Sequence, residues 1–219
     1  MNRILNAAKL DFYAARSSLM LSSLMFILAI AIGAATKQPI ITMVLVMVFA
    51  TYLGGTVFST HEKNHSDKLY GILPLKKTEM IVGRYLYALV ISVPSIVIAG
   101  VLGRAISSIL SVTIDSATFW IALSLAFVYY CFSVGVSYPI YFKFSFAKAY
   151  IFTMLPMYLV VLAVMLITRK SNYLNTLSQF INFFNSRTYL APIFGILGGL
   201  ILLAVSAWIA NLIYTRKEI

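Results

Sequence analysis

The chain has 219 residues, 61% of them hydrophobic and only 11% charged, with a mean hydropathy of +0.93 and a net charge of +11. Soluble domains carry charge on about a quarter of their residues, so this composition excludes an ordinary water-soluble globule. One bilayer crossing uses about 20 apolar residues, which leaves room for six crossings and short connections, and none for a large soluble catalytic domain.

Residues 2–16 come first. Ile4, Leu5, Ala8, Phe12 and Ala15 share one helical face, with Lys9, Asp11 and Arg16 off it. That pattern suits an amphipathic helix lying in the membrane interface; a plain charged lead-in is the other reading. The segment lacks a small-residue cleavage site and is expected to be retained. Six apolar runs follow, at about 17–36, 39–59, 86–102, 118–142, 150–168 and 190–214. They predict an all-α membrane protein forming one transmembrane domain over 1–219. Residues 171–186 carry apolar residues at helical spacing and read as a short outer interfacial or re-entrant helix.

The basic residues lie between the apolar runs and not along one face, which argues for membrane topology and against nucleic acid as a partner. With both termini inside, twelve of them fall on the cytoplasmic side, among them Lys63, Lys68, Lys76, Lys77, Arg84, Lys143 and Lys148. Five remain outside: Lys37, Arg104, Arg169, Lys170 and Arg187. Cytoplasmic loops retain Lys and Arg, so the expected protein is a multi-pass component of the cell membrane with both termini in the cytoplasm. Cys131 is the single cysteine and excludes a disulfide within the chain.

No run has an acidic residue near its middle, which speaks against a carrier coupled to protons or sodium ions. Gly54–Gly55, Gly100/Gly103 and Gly195/Gly199 permit close helix contact, and Pro94, Pro139 and Pro156 permit kinks. Tyr129, Tyr130, Tyr138, Tyr141 and Tyr150 gather near the end of the fourth run and the start of the fifth. An aromatic belt and a binding pocket both account for them.

His61-Glu62-Lys63-Asn64-His65 fits H-E-x-x-H. On a helix, His61 and His65 would share a face as zinc ligands and Glu62 would be the general base of a membrane metalloprotease. The pattern fixes only three letters and no third ligand stands at a recognisable spacing. The Asp-Gly motif of intramembrane zinc proteases is absent as well. The preferred reading makes both histidines solvated loop residues, with no metal and no catalytic residue in the chain. A non-transporting membrane scaffold or sensor is a further alternative.

The longest hydrophilic interruption, 60–84, holds Leu73-Pro74-Leu75-Lys76-Lys77 and then Thr78-Glu79-Met80. An extended Leu-Pro-Leu entry before a short helix near Lys77–Thr78 is suited to docking a cytoplasmic partner in a groove. Leu73, Leu75 and Met80 are the expected apolar contacts; Lys76, Lys77 and Glu79 are the rim charges, with Glu62 and Asp67 upstream.

These elements, with Val82-Gly83-Arg84-Tyr85-Leu86, the amphipathic N-terminus and the basic tail, resemble the permease subunits of type-2 ATP-binding-cassette (ABC) exporters in their short six-span bacterial form. Within that family the chain looks similar to permeases that export phenol-soluble modulin peptides. The resemblance implies a coupling helix between spans two and three, resting on a separate ATPase subunit. It also implies a second permease subunit, identical or homologous, completing the pathway. The chain has no G-x-x-x-x-G-K-[ST] loop, so ATP and magnesium are expected on the partner. The implied cargo is an amphipathic or antimicrobial-type peptide, or a hydrophobic toxin or drug.

Overall fold

The computed structural model describes residues 8–13, 15–16, 24–63, 77–156, 158 and 190–215. The regular structure among them is helical. In hydrocarbon every backbone N–H and C=O must be satisfied internally, and a helix does this within one segment. The helices are α1 (Leu24–Thr36), α2 (Pro39–Lys63), α3 (Lys77–Ile109), α4 (Ser116–Lys143), α5 (Phe146–Thr153) and α6 (Leu190–Thr215). Four of them, α2, α3, α4 and α6, are long and apolar enough to cross a membrane, and α1 is a shorter apolar helix. Residues 17–23 and 159–189 lie outside the described residues, and with them parts of the first and fifth expected spans and the expected outer helix.

The expected second, fourth and sixth spans fall within a few residues of α2, α4 and α6. The third is longer than expected. Its apolar run was placed at 86–102, with a short helix starting near Lys77–Thr78 and leading into it; α3 does start at Lys77 and runs unbroken to Ile109 as one helix. Charged residues end a hydropathy run without ending a helix, and Lys, Glu, Met and Arg all have high helix propensity. At 33 residues and 1.5 Å per residue, α3 is about 50 Å long. That exceeds the ~30 Å hydrocarbon core.

Two turns link the helices at one end of the bundle, and both close with the same bonds. After α1, Gln38 N–H donates to the Gly33 carbonyl (3.3 Å) and Lys37 N–H to that of Ala34 (3.2 Å). After α3, Val112 N–H donates to the Ser107 carbonyl (3.0 Å) and Ser111 N–H to that of Ser108 (3.3 Å). Lys37 and Ser111 each take φ of 54°, the left-handed conformation that this helix stop requires. Pro39 then opens α2 and Asp115 caps α4, its carboxylate accepting from Ala117 N–H at 3.1 Å.

The most extensive interface joins α4 to α6, followed by α2 with α3 and α2 with α4. It is close because Gly199 has no side chain: a Cβ there would lie 2.8 Å from Phe127 and 2.9 Å from Cys131. Met43, Val46, Met47 and Ala50 of α2 meet Ile81, Tyr85 and Ala88 of α3 and Tyr130, Val134 and Tyr138 of α4 in one core. Val90, Val93, Val97 and Val101 form an exposed stripe on α3 at helical spacing, as expected of a side that meets lipid.

Candidate functional site

α2, α4 and α6 end, and α3 begins, at one pole of the bundle, which carries Lys63, Lys143 and Lys148. Phe58 of α2 packs there against Tyr138, Tyr141 and Phe142 of α4, with ring centroids 4.9, 4.9 and 5.3 Å away. Phe142 in turn meets Tyr214 of α6 at 5.5 Å. Arg84 of α3 enters this aromatic cluster, its Cζ 4.5 Å from the Phe58 centroid and 5.2 Å from that of Phe142. The sequence placed Arg84 in a cytoplasmic loop. Instead it is only 5% exposed, because the early start of α3 puts it two turns inside the helix.

Two consecutive residues at the end of α2 reach in different directions. His61 Nε2 lies 2.9 Å from Asp11 Oδ1, and both side chains are buried. This pair fastens the N-terminal helical residues to α2 and replaces the solvated-loop expectation for His61. Glu62 Oε2 accepts a hydrogen bond from the N–H of Phe146, the first residue of α5. A carboxylate at a helix start meets unpaired N–H groups and a favourable dipole.

The other expected site residues divide into two sets. His65, Asp67, Leu73, Pro74, Leu75 and Lys76 lie outside the described residues. Lys77 opens α3, Thr78 is exposed and Glu79 is half-buried. Met80, expected on the docking face, is in the core at 7% exposure. A helix that continues into the bundle turns one face inward from its first turns, and Met80 shares that face with Ile81 and Arg84. Among the described residues no three His, Cys, Asp or Glu side chains converge as metal ligands.

The tyrosines are interhelical posts. Tyr130 donates to the Ala88 carbonyl of α3 (2.7 Å) and Tyr138 to the Gly54 carbonyl of α2 (2.9 Å). Tyr85 Oη and Ser206 Oγ are 2.6 Å apart, and Ser206 donates to the Gly135 carbonyl at 2.6 Å. Buried hydroxyls need partners, and in a bundle the partners lie on neighbouring helices. Tyr130, Ser133, Ser137, Tyr138 and Tyr141 occupy one helical stripe of α4, a signal present in the sequence. Beside these posts lies a cavity of about 450 Å³ between α1, α2, α4 and α5. Phe49, Tyr52, Tyr129, Ser133, Ser137 and Tyr141 are among its lining residues, and none of the lining residues is charged.

The fold and this pole define a multi-pass helical membrane protein whose charged end is tied together by contacts between distant segments. The chain belongs to the ABC-2 transporter family: the model described as "ABC-2 family transporter protein" matches residues 8–215, nearly its whole length. Members of this family are membrane permease components, which places the chain in the transporting part of an ABC system and not among enzymes. A search of curated proteins found no match.

Proposed function

We propose that the chain is the permease subunit of an exporter, forming half of a translocation pathway with a second, identical or homologous permease subunit. A separate ATPase, carrying ATP and magnesium, docks on the pole that bears Lys63, Lys143 and Lys148. This pole is cytoplasmic, in keeping with the basic residues the sequence concentrates there. The observation that carries the reading is the pairing of α2 with α3, whose neighbouring ends at Lys63 and Lys77 bound the stretch 64–76. Leu73, Pro74, Leu75, Lys76, Lys77, Thr78 and Glu79 form the docking surface, with Asp67 upstream. Glu62 and Met80 act from inside this chain, linking that surface to α5 and to the core. Cargo is an amphipathic peptide or a hydrophobic toxin or drug, in keeping with an uncharged, hydroxyl-bearing cavity.

Co-expression with an ABC ATPase and affinity purification test the reading. Leu75→Asp and Thr78→Trp, made separately, are expected to abolish recovery of the ATPase and peptide-stimulated ATP hydrolysis in vesicles. Thr78 is exposed, so a bulky ring there leaves the fold intact. Wild-type recovery and hydrolysis with both variants would contradict the docking assignment.

A further inference from the structure

Arg84 is a permanent cation, nearly wholly buried, and its surroundings do not neutralise it. Phe58 and Phe142 receive the guanidinium on their ring faces, which leaves its in-plane N–H donors to be satisfied by something else. Nε is sealed from solvent with no hydrogen-bond acceptor. No ion pair joins Arg84 to an acid among the described residues. Asp11 is engaged with His61, and Glu62 with the Phe146 N–H. Burying a charge is costly unless an opposite charge completes it, so an oxyanion must come to Arg84 from outside these residues.

Depth selects the source. Residues 85–103 of α3 contain no charged side chain, and Arg84 and Arg104 bracket them. Nineteen helical residues span about 28 Å, close to the ~30 Å hydrocarbon core. Arg84 therefore stands where the hydrocarbon meets the headgroups, at the level of the lipid phosphates. Lys63 and Lys143 stand at the same pole and favour anions there. We infer that Arg84, held between Phe58 and Phe142, is a binding site for the phosphate of an anionic phospholipid, engaged through the terminal guanidinium nitrogens. The site owes nothing to the transport reading and would stand if that reading failed.

The test uses the full chain in lipid nanodiscs, comparing phosphatidylcholine alone with phosphatidylcholine plus phosphatidylglycerol. Phosphatidylglycerol is expected to raise the midpoint of thermal unfolding by about 3 °C or more in the wild type. Arg84→Met should lose that rise, and Arg84→Lys, which keeps the charge and loses the fork, should keep part of it. Arg104→Gln, at an exposed position at the opposite end of α3, should keep it whole. Inorganic phosphate added to phosphatidylcholine discs separates the sources: no rise assigns the site to lipid, whereas the same Arg84-dependent rise overturns the lipid and leaves a free anion. The inference also fails if Arg84→Met folds and retains the full phosphatidylglycerol effect. It fails equally if the wild type shows no phosphatidylglycerol rise and Asp67→Asn creates an Arg84-dependent one, which would make Asp67 the anion. Native mass spectrometry provides a second readout independent of stability. It should find about one tightly held phosphatidylglycerol per wild-type chain and none with Arg84→Met.

Discussion

Arg84 and Arg104 stand at opposite ends of α3, each over an aromatic ring. Arg84 is buried between Phe58 and Phe142, whereas Arg104 is exposed with its Cζ 4.1 Å from the Phe119 centroid. The surroundings differ in the same way. At the Arg104 end the polar contacts are local: Asp115 caps its own helix, and the turns at Lys37 and Ser111 close on carbonyls of the preceding turn. At the Arg84 end they join segments far apart in sequence, Asp11 to His61 and Glu62 to Phe146. Local contacts finish helices; distant ones fasten helices to each other. A force applied to the end of α2 would therefore be passed to the N-terminal helical residues and to α5, as the docking proposed for this pole calls for.

The comparison is broken most readily at the buried pair. Asp11→Leu or His61→Leu should each cost about 2 kcal/mol, because each leaves a buried polar partner without its bond. The double variant should cost clearly less than the sum, as a double-mutant cycle of unfolding in detergent will show. At the other end the effects shrink. Asp115→Ala removes one cap and should cost about 1 kcal/mol by the same measurement, with no coupling to His61. Ser111→Gly should stabilise by about 0.5 to 1 kcal/mol, since glycine accepts the left-handed conformation without the Cβ penalty. Arg104→Gln should change the unfolding midpoint least, within about 0.5 kcal/mol, as expected of an exposed side chain. A cost at Arg104 equal to that at His61 would erase the difference between the ends.

The membrane class and the positions of α2, α4 and α6 were legible in the sequence because apolar length alone sets them. The start of α3 near Lys77–Thr78 was legible too, but not its place in the bundle: Lys77, Glu79 and Arg84 interrupt the hydropathy run, and only packing of Met80 and Ile81 into the core reveals that the first turns already belong to the span. His61 illustrates a second limit. Its neighbours in sequence suggested either a zinc ligand or a loop, while its partner Asp11 lies fifty residues away, where no local pattern points. The tyrosines were visible as a cluster and read as a belt or a pocket; that Tyr130 and Tyr138 are posts depended on which carbonyls lay opposite. Gly54, on the other hand, was singled out as a packing residue, and its carbonyl receives Tyr138.

The most direct test of the docking pole is site-specific photocrosslinking in the assembled complex. A photoreactive residue at Thr78, exposed in the first turn of α3, should form an adduct with the ATPase subunit. The same residue at Ser111, exposed at the opposite end, should form none. Adducts from Ser111, or equal yields from both positions, would contradict the assignment of the ATPase to the Arg84 end.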